Sequence, residues 1–254
     1  MAERHITLKA FTLSSFNVKN ADRLLHLLTK EDGVITVYAG GAGRPKSRLL
    51  ACSTPFTLSE FELYKAGDRY SVINADIIYA FPGIRGDFDR LEEASRLARL
   101  VEDATRFDIG SSGLYDIFGY ALYAIADRPD PALSAALAAL RIVAEIGFAP
   151  HLQRCVTCQA PLVAPYRFSQ RASGALCKRH EAGYYDLQSM ALPLVQVIEH
   201  AIHVAFERVL TIQISEPLKT EVTTWIWRYI EFQMEKSYPG FYLPDVSALA
   251  PRGE

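Results

Sequence analysis

The feature that most limits how this chain can fold is Cys155-Val156-Thr157-Cys158, followed nineteen residues after Cys158 by Cys177-Lys178-Arg179-His180. Two knuckles spaced C-x2-C and C-x2-H offer four soft or borderline ligands, the set a tetrahedral Zn2+ site takes. The chain has four cysteines, and three lie in this array. A fold that satisfies it must bring residues 155–158 and 177–180 together. Four protein ligands close the shell, so the expected ion is structural; a catalytic zinc keeps one position open for water. His151 is the alternative fourth ligand by position. Between the knuckles, residues 161–168 and 174–176 read as the strands and turn of a zinc ribbon. So small a segment has little core of its own and depends on its metal. A thioredoxin-type dithiol fits poorly, because no βα unit follows Cys158. The H-x-E and P-C-x-x-C motifs of zinc deaminases are absent.

At 254 residues the chain can build one large domain or two smaller ones. Its first residues hold no apolar signal core. No run of about 18 uncharged apolar residues is present, so no membrane span is expected. Metal thiolates, rather than a disulfide framework, fit a reducing compartment. The reading is a cytosolic protein without a membrane.

The net charge of −2 hides segregation. Residues 1–80 carry 10 Lys/Arg against 8 Asp/Glu, and residues 151–185 carry 5 against 1; both other stretches are acidic. Positive charge therefore gathers at the N-terminal third and around the metal array, two places suited to phosphate.

The first 80 residues read as β-structure. Residues 6–13, 22–29, 34–39, 56–64 and 70–77 are the strand candidates. Lys30-Glu31-Asp32-Gly33 marks a hairpin, since Asp-Gly supplies the positive φ a tight turn needs. Apolar parity switches between Leu58 and Phe61, which predicts a bulge near Ser59-Glu60. Five strands suit a small closed barrel, an OB-fold, with an SH3-like barrel left open by pattern. Gly40-Gly41-Ala42-Gly43-Arg44-Pro45-Lys46-Ser47-Arg48 reads as a mobile cationic loop of that barrel. It lacks the Gly-Lys-Ser/Thr ending of a P-loop. Tyr38, Phe56, Phe61 and Tyr70 are aromatics near enough in sequence to stack on bases, although most such residues serve a core.

After Pro82-Gly83 the period becomes helical. Leu91 to Ala104 and Leu114 to Ile125 form two helices. Asp130-Pro131 predicts an N-cap and first turn, and Gly147 ends that helix. Helices resume over 190–211 and 218–236, and the tail from Pro239 has no strong pattern. His200 and His203 read as a polar helix face, Cys52 as a small buried hydrophobe, and Trp225, Trp227, Tyr229 and Phe232 as helical core or a partner groove. The expected organisation is an α+β chain of more than one domain: residues 1–80 an OB-fold, residues 81–254 a helical domain with a zinc-ribbon insertion at 150–185.

This order of parts resembles the bacterial DNA repair and recombination mediator family RecO. Leu28-Thr29-Lys30-Glu31-Asp32-Gly33, the 41–48 loop, the Gly147-Phe148-Ala149-Pro150 lead-in and the knuckles carry the resemblance, which covers nearly the whole chain. At the last zinc position this chain has His180 where cysteine is common in the family. The resemblance implies one structural Zn2+ on Cys155, Cys158, Cys177 and His180, and no enzymatic turnover. It implies binding of single- and double-stranded DNA, annealing of complementary strands, and partnership with RecR. It also implies help in loading RecA onto DNA coated by single-strand-binding protein, at the nucleoid. Arg44, Lys46 and Arg48 are the leading DNA contacts, with Lys9, Lys19 and Arg23 behind them. Arg154, Arg167, Arg171, Lys178 and Arg179 around the metal are a second basic group. A zinc-ribbon adaptor acting through protein contacts in transcription or translation is the alternative, and a metal-dependent hydrolase would need an open zinc position.

Overall fold

A computed structural model describes residues 4–107 and 111–240. β1 (Arg4–Asn17), β2 (Arg23–Thr29), β3 (Val34–Ala39), β4 (Thr57–Ala66) and β5 (Arg69–Tyr79) close into a barrel in the order β1-β2-β3-β5-β4. All neighbours are antiparallel except β3 and β5. This is OB-fold connectivity, and it resolves the choice that pattern left between barrel types. The β2–β3 hairpin turns at the expected Asp32-Gly33: Gly33 has φ 66°, and the Thr29 N–H donates to its carbonyl at 2.8 Å.

The bulge is displaced from its expected strand. Register does shift beside Leu58 and Ser59, but the extra residue is Ile78 on β5. β4 itself alternates without a break, with Thr57, Ser59, Phe61 and Leu63 buried. Leu58 misleads because the outer face at that point is covered by helices, so an apolar residue is favoured there too. Leu25, Leu27, Val37, Phe61 and Leu63 fill the barrel, and α1 (Leu49–Cys52) places Cys52 beside them. As expected, Cys52 is buried; its thiol donates to the Ala75 carbonyl at 3.4 Å.

After α2 (Pro82–Arg85), the helices α3 (Phe88–Ala104) and α4 (Ser111–Asp127) pack against the barrel and each other, and α5 (Pro131–Glu145) packs on both of them. Phe11 of β1 meets Phe118 edge-on and lies 4.9 Å from Tyr115, ring to ring. α5 is apolar almost all round and buried from Leu133 to Leu140, which makes it the central helix. It begins at Pro131 and stops at Gly147 (φ 94°), as expected, with the Phe148 N–H returning to the Val143 carbonyl at 2.8 Å. Asp130 precedes it but makes no side-chain cap; its carboxylate accepts from Lys219 Nζ at 2.8 Å.

The helix expected over 190–211 is broken. α6 (Leu192–His203) ends before Val204-Ala205, and α7 (Phe206–Val209) is a single turn. Arg141 Nη1 donates to the carbonyls of Ala201, Ile202 and Val204, satisfying the orphan acceptors at the end of α6. α8 (Glu216–Gln233) buries Trp225, Trp227 and Tyr229, while Phe232 is exposed.

The knuckle segment adds β6 (Tyr166–Ser169), β7 (Gly174–Leu176) and β8 (Leu187–Met190), a sheet in the order β7-β6-β8. Residues 161–165 are not strand, and β8 lies outside the expected ribbon. Nor is the ribbon self-contained. Phe168 is fully buried and meets Trp225 edge-on at 5.2 Å; Trp225 stacks on Tyr229, and Ala175 and Met190 join the same core. Burying one phenyl ring contributes about 1.5–3 kcal/mol. The ribbon is thus docked on the helical layer as well as tied by its ligands. Among the described residues no helix is long and apolar enough to cross a membrane. The tail expected to lack pattern lies, beyond Gly240, outside the described residues.

Candidate functional site

The two knuckles meet. Their Sγ and Nδ1/Nε2 ligand atoms all lie within 4.8 Å of one another. Cys177 Sγ is 3.3 Å from His180 Nδ1, Cys155 Sγ is 3.7 Å from the same nitrogen, and Cys158 Sγ is 3.7 Å from Cys177 Sγ. Around an ion with Zn–S bonds of about 2.3 Å, the sulfur–sulfur edge of a tetrahedron is about 3.8 Å. The donor set and its spacing therefore fit a tetrahedral metal ion. His151 takes no part in the cluster.

Local backbone brings this about. The Cys155 N–H donates to the Ala160 carbonyl at 2.9 Å, and the Gln159 N–H to the Cys155 carbonyl at 2.8 Å, with Gln159 left-handed at φ 61°. The His180 N–H closes the second knuckle on Cys177 O at 2.8 Å. The knuckles approach across Gly174. A side-chain carbon there would stand 2.3 Å from Val156 Cγ1 and 2.8 Å from the His151 carbonyl, so only glycine fits.

The cluster is primed for a cation. Burial pushes the Cys155 thiol up, but N–H groups of Cys177, Cys158 and Thr157 outweigh it and bring the thiol down to about 6. His180 holds the Cys177 thiol below its usual value, and Cys177 and Cys155 in turn raise His180. Cys155 is buried and Cys158 is exposed.

The basic loop is not free. The Gly43 N–H donates to the Ala21 carbonyl at 2.8 Å, and the Gly41 N–H to Asp22 Oδ1 at 2.6 Å. The Tyr38 hydroxyl donates to the same carboxylate. Asp22 is held below the ordinary carboxylate range by Tyr38 first, then by Gly41, with the Arg44 guanidinium near. A side-chain carbon at Gly43 would meet Ala21 O at 2.8 Å. The loop is thereby fastened to the 18–22 turn, contrary to the mobile loop expected.

This fastening brings Lys19 to the same barrel end as the loop residues Arg44, Lys46 and Arg48, all four exposed. Arg23 is engaged elsewhere, where its Nη1 donates to Ser53 Oγ at 2.8 Å and braces the segment after α1. Lys9 lies on β1 opposite Glu60 of β4, separate from the loop. Phe56 and Phe61 are buried, and Lys65 lies over the half-buried Tyr70 ring at 4.8 Å. Tyr38 alone of the four named aromatics is broadly exposed, at 42%. The inner–outer alternation of β3 is the sequence signal that singles it out.

Around the ribbon, Arg154 donates to Gln159 O at 3.1 Å, Arg167 faces Glu181 at 3.9 Å and Arg171 covers the Tyr185 ring. Lys178 and Arg179 are exposed. His203 pairs with Glu199 at 3.4 Å, in keeping with a polar helix face.

The recombination protein O N-terminal model matches residues 1–81, and the recombination protein O C-terminal model matches residues 85–240. Curated relatives named DNA repair protein RecO extend over most of the chain. One from Acetivibrio thermocellus is 27% identical over 92% of this chain and 94% of its own length. One from Desulforudis audaxviator is 31% identical over 84% of this chain and 86% of its own. Another, from Desulforamulus reducens, is 26% identical over 90% of each. With both halves matched and the barrel and thiolate cluster in place, the chain belongs to the recombination protein O family, RecO.

Proposed function

We propose that this protein is a DNA repair and recombination mediator that works without enzymatic turnover. It binds single- and double-stranded DNA, anneals complementary strands and helps load RecA onto DNA coated by single-strand-binding protein, with RecR as a partner. Residues 1–80 act as the nucleic-acid-binding domain. The chain from residue 81 onward is assigned as the helical domain, and its ribbon runs past 185 to Met190 of β8. The observation that carries the reading is the barrel end where Arg44, Lys46 and Arg48 of the fastened loop and Lys19 of the 18–22 turn are all exposed. Four exposed cations held in one place can track a phosphate backbone, and Tyr38 beside them offers a ring face to a base. Lys9 and Arg23 are weaker contacts, one set apart and one engaged with Ser53.

In this reading Zn2+ sits on Cys155, Cys158, Cys177 and His180, with no position left for a substrate. It keeps the ribbon folded against α8. The protein's working place is the nucleoid. A strand-annealing assay, with and without single-strand-binding protein, tests the function. The expected result is faster annealing of complementary strands, retained on coated strands. No acceleration over buffer overturns the reading.

A further inference from the structure

Three sulfurs and one ring nitrogen make up the cluster, and the sulfurs differ in access. Cys155 is fully buried, Cys177 is half-buried and Cys158 is exposed. The exposed sulfur also has a neighbour in the other knuckle, since Cys158 Sγ lies 3.7 Å from Cys177 Sγ. The exposed Lys178 and Arg179 follow Cys177 directly, so positive charge accompanies this pair, as it does at reactive thiolates.

The two knuckles are aligned by their backbone as well as by their ligands. The Val156 N–H donates to the Ala175 carbonyl at 3.1 Å, and the Ala175 N–H to the His151 carbonyl at 2.7 Å. Between the knuckles in sequence, Phe168 packs on Trp225. None of these ties uses a ligand atom, so they hold Cys158 and Cys177 side by side at the moment the metal shell opens.

We propose that Cys158 is an oxidation site, at which a peroxide exchanges the metal tie of the ribbon for a disulfide between Cys158 and Cys177. The proposal rests on the Zn2+ reading of the cluster. The Cys158 thiolate attacks one peroxide oxygen; an S–O bond forms, the O–O bond breaks and hydroxide leaves. Sulfur gives up two electrons and the peroxide takes them. The Cys177 thiolate then attacks the Cys158 sulfur; the S–S bond forms, the S–O bond breaks and a second hydroxide leaves. Solvent protons turn both hydroxides into water. Cys155 and His180 remain as ligands, and two are too few to keep a tetrahedral ion. The disulfide joins the same two knuckles that the metal joined, so the ribbon stays closed without the ion. A link between Cys155 and Cys158 would lie within one knuckle and leave the other untied. A dithiol reverses the exchange and lets the ion return.

The test uses the full chain loaded with zinc, and hydrogen peroxide as the oxidant. Metal content is measured first. Zinc release is then followed with a chromogenic chelator, disulfide-linked peptides by mass spectrometry after alkylation, and amide exchange at Val156 and Ala175. The zinc should leave as two thiols are lost, with Cys158 linked to Cys177 and Cys52 still free. The two amides should exchange about tenfold more slowly in the oxidised chain than in the reduced, chelated chain. Dithiothreitol with added zinc should restore the metal. Cys158→His keeps a fourth ligand but removes the exposed sulfur, and should release zinc about tenfold more slowly under peroxide. A chain that loads no zinc overturns the metal assignment and this proposal together. In a loaded chain, zinc retained under peroxide, a Cys155–Cys158 link, release with sulfinic acid and no disulfide, exchange as fast as in the chelated chain, or equal release from Cys158→His overturns the redox proposal and leaves the metal assignment standing.

Discussion

The barrel end and the ribbon are both positively charged, yet they are held in different ways. At the barrel end a glycine-rich loop is fastened by backbone hydrogen bonds to the 18–22 turn and Asp22, and its cations face outward. In the ribbon the ordering element is the thiolate–imidazole cluster, and Arg154, Arg167 and Arg171 are each engaged with neighbours. Similar charge therefore does not mean similar use. One region leaves its cations to solvent and whatever arrives there; the other uses most of them to complete its own structure.

Metal removal separates the two regions most sharply. Structural zinc contributes an apparent ~10–16 kcal/mol to isolated zinc fingers, so Cys177→Ser or a strong chelator should release the ion and free the knuckle amides of 155–180 to exchange. The barrel amides of 23–39 should stay protected; metal analysis with hydrogen exchange reads both. Phe168→Ala should come next. It removes the ring that docks the ribbon on Trp225, at about 3–5 kcal/mol in denaturant unfolding, while the metal content stays near one per chain. Full retention of stability would mean the ligands alone hold the ribbon.

How far each region was legible follows from where its information lies. The metal array could be read directly, because ligand type and spacing are local. So could the 30–33 hairpin, where Asp-Gly dictates the backbone. The fastened loop could not, because its anchors, Ala21 and Asp22, lie some twenty residues before it and carry no motif. The helix break at Val204 depends on Arg141, distant in sequence. Leu58 looked like an inward residue because helices cover the outside of β4. In each miss a long-range partner, absent from the local pattern, decided the outcome.

Smaller effects sharpen the contrast. Gly43→Ala should destabilise the barrel by about 1–3 kcal/mol, since its new carbon crowds the Ala21 carbonyl, and should leave zinc content unchanged. Acid should act on the ribbon first. In the metal-free fold the surrounding N–H groups hold the Cys155 thiol at about 6, against about 8.5 for a free thiol, so its thiolate favours that fold above about pH 8.5 and the contribution is lost as pH falls through 6. Protons then compete with metal, and zinc release into a chelator should rise steeply below about pH 6, with barrel amides unaffected.

The central claim is that DNA is held at the barrel end while the ribbon serves as a clamp. The direct measurement is single-stranded oligonucleotide affinity across a salt series. It compares the native chain, the triple variant Arg44→Glu/Lys46→Glu/Arg48→Glu and the double variant Lys178→Glu/Arg179→Glu. Losing three phosphate contacts should weaken binding and lower the slope of log affinity against log salt by about 2, and the ribbon variant should keep the native slope. An unchanged slope in the triple variant, with a reduced one in the ribbon variant, would place the DNA on the ribbon and contradict the account.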